Sequence, residues 1–149
     1  MHFTLFGFYA DKHNKKLSKL VDDCQGCALL DSGCSKTVAG LSWYTKYFNE
    51  LSDYDKKTVT ETSSNSLFTF GDGECKRSMK CVVMPCYIDG KRSTMEVEIV
   101  EGGIPLLLSR NSMKKGKMIL DFENDMLVIG DRSIKLRMAN SGHYLLPLH

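Results

Sequence analysis

The sequence predicts a mainly β domain carrying one or two short helices. The second half of the chain is a succession of short apolar and β-branched runs cut by Gly, Asp and Asn turns. Only one segment of any length, Leu41–Leu51, carries helical periodicity. With 149 residues, 42% of them hydrophobic, the chain suits a single domain over residues 1–149 with a real core.

In order along the chain, residues 2–9 are rich in Phe and suit a first strand, and the polar stretch Asp11–Lys19 suits a loop or short helix. Cys27–Asp31 (CALLD) is a short apolar run stopped by Ser32-Gly33, the pattern of a buried strand entering a turn. Leu41–Leu51 sets Trp43, Tyr47 and Leu51 on one helical face beside Tyr44 and Phe48, with Ser42 available as a cap. The polar stretch Asp53–Ser66 reads as an exposed connection.

Beyond it, Leu67–Phe70, a turn at Gly71-Asp72-Gly73, Met79–Ile88, a turn at Asp89-Gly90 and Thr94–Val100 read as strand, turn, strand, turn, strand. Ile104–Leu108, a short helix around Asn111–Lys115, Met118–Phe122, Met126–Ile129, Ile134–Met138 and Tyr144–Leu148 complete a count of nine or ten strands.

A net charge of +2 from 20 basic and 18 acidic residues gives no reason to expect nucleic acid or an anionic membrane as partner. Six cysteines in 149 residues fall well below the roughly 8–10% of a disulfide scaffold. The expectation is a reducing, intracellular and cytoplasmic setting. MHFTLFGFYA lacks a basic n-region and makes a poor signal peptide, and no apolar run approaches the ~18 residues of a membrane span, so a soluble chain is expected.

The chemistry concentrates at Asp31-Ser32-Gly33. Asp-Ser-Gly alone is usually a plain turn, because all three residues are turn formers. Here it follows Ala28-Leu29-Leu30, where an ionised carboxylate is costly without partners and a carboxyl sharing a proton is at home. Peptide hydrolysis by carboxylates needs two of them, one accepting a proton from water and one donating to the carbonyl oxygen. The other acids sit in charged or turn contexts, as with Asp22-Asp23, Asp53-Tyr54-Asp55, Asp72 and Asp125. A two-fold homodimer placing Asp31 of each copy at its axis supplies the missing carboxyl.

The run Leu29-Leu30-Asp31-Ser32-Gly33-Cys34-Ser35-Lys36-Thr37-Val38 resembles the active-site segment of retropepsins, the homodimeric aspartic proteases of retroviruses and LTR retrotransposons. Ile104-Pro105-Leu106-Leu107-Leu108-Ser109-Arg110-Asn111 is similar to the family's second hallmark, an apolar pair before a short helix. Phe68–Glu74 falls between them, where a flap hairpin belongs.

The resemblance implies a closed retropepsin-like barrel acting as a homodimeric aspartic endopeptidase on extended polypeptide, such as the polyprotein of a retroviral-type element. It implies no cofactor, metal, nucleic acid or membrane. By the same resemblance Asp31 is the catalytic acid, Ser32 locks the two active-site loops together and Gly33 permits close approach to the dyad. Phe70, Gly71, Asp72 and Gly73 form the flap tip, while Thr37, Leu107, Leu108 and Arg110 support the site. The terminal segments Phe3–Tyr9 and Tyr144–Leu148 interleave between subunits. Three departures stand out: Ser109 replaces a glycine, Ser35 replaces an acid that some members pair with the second motif's arginine, and Leu41–Leu51 is a helical insertion.

Competing readings are weaker. Cys24-x-x-Cys27 with Cys34 lacks the second ligand pair of a zinc site, and a Cys nucleophile with His143 lacks a reason for the two to meet. Gly71-x-Gly73 lacks the remaining signature of a phosphate loop, and Lys114-Lys115-Gly116-Lys117 reads as a solvated helix end. The alternative from another class is a domesticated dimerisation or peptide-binding module that keeps the fold with little turnover.

Overall fold

The computed structural model of the protein describes residues 2–4, 24–71 and 73–149. Most of the strand expected over residues 2–9, the polar stretch Asp11–Lys19, and Asp72 lie outside the described residues.

The fold is mainly β, with thirteen strands and three helices among the described residues rather than nine or ten strands and one or two helices. One sheet runs β1 (His2–Thr4), β5 (Leu67–Thr69), β6 (Cys75–Ile88), β7 (Lys91–Val100), β3 (Val38–Gly40), β8 (Leu106–Ser109), β2 (Cys27–Asp31), β13 (Tyr144–Pro147), β12 (Arg137–Met138). A further strand, β4 (Thr60–Ser63), pairs with β6. This order is an open path; among the described residues no pairing joins β1 to β12, so the barrel expected from sequence is not closed by its hydrogen bonds. A second sheet orders β11 (Arg132–Lys135), β10 (Met126–Ile129) and β9 (Met118–Asp121).

The β6–β7 hairpin is the longest ladder, from Ile88↔Lys91 back to Ser78↔Val100 with an irregularity between Ser78 and Lys80. Its turn is Asp89-Gly90, both with positive φ (51° and 76°), the backbone whose twist suits a two-residue hairpin and which Asp-Gly adopts readily.

Strand β2 is buried along its whole length and separates two core clusters. Successive side chains point to opposite faces of a strand. Ala28 and Leu30 therefore join the larger cluster with Trp43, Tyr47, Val97, Leu106 and Leu146. Cys27 and Leu29 join the smaller one with Val38, Phe68, Leu107 and Leu145. Its neighbours are β8, parallel, and β13, antiparallel.

Helix α1 (Leu41–Glu50) matches the expected segment and buries Trp43, Tyr44 and Tyr47. The expected Ser42 cap is corrected: Gly40 is the cap residue and contributes no side-chain bond. The amide of Ser42 instead donates to the Gly102 carbonyl at 3.2 Å, and Gly40 N–H donates to Ile104 O at 2.7 Å. A Cβ on Gly40 would stand 2.5 Å from both Gly102 O and Ile104 N, so a neighbouring backbone fills the place a capping side chain would take.

The stretch Asp53–Ser66 is also corrected, since it holds helix α2 (Asp53–Thr58) and strand β4 instead of a plain connection. Ser52 caps α2 by accepting from Asp55 N–H at 3.1 Å, and Ser52-x-x-Asp55 was the legible signal for it. Asp55 is buried and accepts from Tyr87 Oη at 2.7 Å and from Arg92 Nη2 and Nε at 3.1 and 3.2 Å. The Tyr87 hydroxyl and then the Arg92 guanidinium hold the Asp55 carboxyl below its usual range, against the opposing effect of burial.

A carboxylate with a depressed folded-state value stabilises above its unfolded value, and that stability is lost as pH falls through the folded one. Asp55→Asn is accordingly expected to be less stable than wild type at neutral pH. The difference should shrink as both are acidified below the ordinary carboxylate range, read as urea midpoints across that range. Parallel curves for the two proteins would show that Asp55 gains nothing from Tyr87 and Arg92.

Candidate active site

Asp31 is the last residue of β2, delivered to the surface end of a strand whose other side chains are packed into the two clusters. It stays buried, at 4% exposure, while Ser32 and Gly33 are exposed in the turn that follows. Oδ1 accepts from Gly33 N–H at 3.1 Å. Oδ2 is buried and has no hydrogen-bond partner among the described residues. Burial pushes the carboxyl above its ordinary value, with the Gly33 N–H and the charge of His143 acting the other way.

The support beneath this turn comes from β8. Leu29, Leu30 and Asp31 are register partners of Leu107, Leu108 and Ser109. Leu107 enters the smaller core cluster and Leu108 the larger, so the two leucines brace β2 on opposite faces. The turn itself is closed by Cys34 N–H donating to Asp31 O at 3.1 Å and is tied down by Arg110 N–H donating to Cys34 O at 2.9 Å. Arg110 contributes through its backbone, and its side chain is exposed.

Thr37 is buried at the centre of a hydroxyl cluster. Its Oγ1 accepts from Ser109 N–H at 3.0 Å and lies 2.6 Å from Ser112 Oγ and 3.2 Å from Ser109 Oγ. Ser109 also caps α3 (Arg110–Lys115) by accepting from Ser112 N–H at 3.1 Å, which gives this departure from glycine a role. The cluster was not foreseen from sequence, because 72 residues separate Thr37 from Ser109. Thr37→Val keeps the shape and strands a buried N–H, which costs about 1–3 kcal/mol. Denaturant unfolding should show that loss, and a change within experimental scatter would remove the cluster from the support of the site.

The hairpin β5–β6 is closed by Gly73 N–H to Phe70 O at 2.8 Å and Phe70 N–H to Glu74 O at 2.9 Å. Gly71 and Gly73 are exposed in the turn, Gly73 with φ of 84°. The Phe70 ring is buried in the smaller core cluster beside Phe68, sharing that cluster with Leu29 and Leu107. Of the residues singled out in sequence, Asp31, Ser32, Gly33, Thr37, Leu107 and Leu108 thus gather around the ends of β2 and β8. Phe70 anchors the hairpin to the same core.

Cys24, Cys27 and Cys34 are buried. Cys34 Sγ donates to Lys36 O at 2.6 Å, and burial pushes its thiol up to about 12. It therefore carries almost no thiolate, which is the nucleophilic form. Among the described residues no group of three or more His, Cys, Asp or Glu is placed to hold a metal ion, and no helix is long and apolar enough to cross a membrane. A cavity of about 580 Å³ is lined by residues including Lys36, Thr37, Glu98 and Ser112, and none of Asp31, Ser32 or Gly33 lines it.

No family model matches the chain, and no curated protein matches it. Among solved structures it is similar to the retroviral protease-like domain of Ddi1 from Leishmania major. The TM-score is 0.49 and the identity 12%, over 83% of this chain and 90% of that one. A likeness at that level carries nothing about chemistry.

The C-terminal segment is paired within its own chain. In Tyr144–Pro147, Leu145, Leu146 and Pro147 pair with Leu29, Ala28 and Cys27, while Tyr144 and Leu145 pair with Met138 and Arg137 on the other side. Leu145, Leu146 and Leu148 are buried in their own chain.

Proposed function

We propose that the protein is an aspartic endopeptidase of retropepsin type, active as a homodimer in which Asp31 of each chain supplies half of a shared site. The observation that carries this is the Asp31 carboxyl, buried at a strand end, with one oxygen held by Gly33 N–H and the other without a partner among the described residues. Buried polar atoms are rarely left so, and a second carboxyl sharing a proton is the partner that makes catalytic use of the arrangement. A second chain also turns the exposed Ser32-Gly33 loop into one wall of a cleft.

In the reaction, a water held between the two carboxyls attacks the peptide carbonyl. The ionised Asp31 takes a proton from the water as the protonated one gives its proton to the carbonyl oxygen. Collapse of the resulting diol returns a proton to the leaving amine and restores the shared-proton pair. The substrate lies extended beneath the β5–β6 hairpins, bound through its main chain as an added strand. In a retroviral-type element it is the element's own polyprotein.

The test is cleavage of an unstructured polypeptide by the purified chain. Cleavage should be inhibited by a statine-type analogue, show a bell-shaped pH profile because one carboxyl must be charged and the other protonated, and lose specific activity on dilution as the dimer separates. A rate that climbs steadily into the alkaline range, unaffected by the analogue, would rule the mechanism out.

A further inference from the structure

The cavity of about 580 Å³ has no part in the site described above, yet its volume lies within the ~300–1,000 Å³ of ligand sites. One wall is the chain that leaves the Asp31 turn, at Ser35 and Lys36, and another is α3. The two are fastened together, because Asn111 Nδ2 donates to Ser35 O at 2.8 Å and Arg110 N–H donates to Cys34 O at 2.9 Å. The cavity is thereby fixed in place relative to the catalytic turn. A third wall is β7, where Glu96 and Glu98 alternate with the core residues Met95, Val97 and Ile99 and so share a face.

Four lysines against two glutamates leave the lining positive. Lys114, Lys115 and Lys117, at and just beyond the end of α3, are exposed and make no ion pair among the described residues. Lys36 is already committed, since its Nζ donates to Glu98 Oε1 and to Ser66 Oγ, both at 3.1 Å. Glu98 is 5% exposed, and its other oxygen, Oε2, is buried without a hydrogen-bond partner among the described residues. A buried carboxylate oxygen in that state calls for a donor. An occupant therefore has to bring negative charge to three lysines and an N–H or O–H to Glu98.

We propose that this cavity is an exosite for an acidic stretch of the polypeptide substrate. This rests on the aspartic-peptidase reading of Asp31. A polypeptide meets both needs: Asp or Glu carboxylates face Lys114, Lys115 and Lys117 while a main-chain N–H donates to Glu98. A phosphodiester backbone brings the charge without the donor. Because none of Asp31, Ser32 or Gly33 lines the cavity, the acidic stretch lies outside the residues that flank the scissile bond. It selects among substrates by binding and leaves the chemistry to the dyad.

The experiment measures binding of a dye-labelled peptide of alternating Glu and Gly to the full chain by fluorescence anisotropy. The comparisons are alternating Gln and Gly, alternating Glu and sarcosine, which keeps the charge but removes amide donors, and oligo-dT. Wild type should bind the Glu–Gly peptide more tightly than all three, with an affinity that falls as salt is added. Replacing Lys114→Gln, Lys115→Gln and Lys117→Gln together should weaken it roughly tenfold, as three exposed charge pairs are lost. Replacing Lys46→Gln, Lys57→Gln and Lys91→Gln together, the same change of charge outside the cavity, should leave binding near that of wild type. Equal losses in the two triple variants, or any comparison ligand bound as tightly as the Glu–Gly peptide, overturn the proposal.

Cleavage separates this inference from the reading on which it rests. Wild type should show a lower KM for an unstructured polypeptide carrying a Glu tract than for its Gln counterpart, and the cavity triple variant should lose that preference. Binding in the stated pattern with no cleavage of either polypeptide keeps the acidic-peptide site and removes the peptidase reading. Cleavage of both with equal KM does the reverse.

Discussion

Asp31→Asn is expected to remove peptidase activity, lowering kcat by about 10²–10⁴-fold, the range that positioned acid–base groups contribute. Asn preserves the shape and can still accept from Gly33 N–H, which reaches Oδ1 at 3.1 Å, but it can neither take a proton from water nor pass one to the carbonyl. The fold should survive, because Asp31 sits at the end of β2 and leaves the Leu29 and Leu30 packing untouched.

The same variant carries a stability signature that does not depend on turnover. Burial raises the carboxyl in the folded chain, so the folded state keeps its proton to higher pH than the unfolded state. Between those two values the folded state binds more protons, and stability falls as pH rises. Wild type should therefore lose stability relative to Asp31→Asn as pH climbs out of the ordinary carboxylate range, with no further divergence once both states are ionised. Thermal unfolding of the two proteins across that window measures it. Activity of the variant within a few-fold of wild type would falsify the aspartic mechanism.

The second large effect is on folding. Trp43→Ala should cost about 3–5 kcal/mol, a large part of the ~5–15 kcal/mol that holds a domain together. Trp43 is fully buried, stacks on Tyr47 with ring centroids 4.8 Å apart, and donates from Nε1 to Cys24 O at 3.2 Å. Truncation leaves a cavity in the larger cluster and removes one of the hydrogen bonds that the Cys24 carbonyl accepts, leaving the one from Cys27 N–H at 3.0 Å. Tyr54→Ala is the control: at 72% exposure it should shift stability by less than about 0.5 kcal/mol. Urea midpoints should separate the two variants widely, and similar midpoints would contradict the placement of Trp43 in the core.

The sequence by itself determined the mainly β class, because period-two runs and Asp-Gly turns are local signals and Asp89-Gly90 forms its turn as read. It determined the apolar face of α1 through the spacing of Trp43 and Tyr47. It placed Asp31 at the end of a buried strand, since a run such as CALLD closed by Ser-Gly has few other resolutions.

What lay beyond it depended on partners distant in the chain. The Ser42 cap failed because Gly102 and Ile104 backbone occupies the end of α1. The helix Asp53–Thr58 had a local signal in its Ser52 cap, but its docking through Tyr87 and Arg92 gripping Asp55 depends on residues more than thirty positions away. The Thr37–Ser109–Ser112 cluster and the pairing of β13 with both β2 and β12 follow from sheet register. Register is settled only when strands many residues apart commit their apolar faces to a common core.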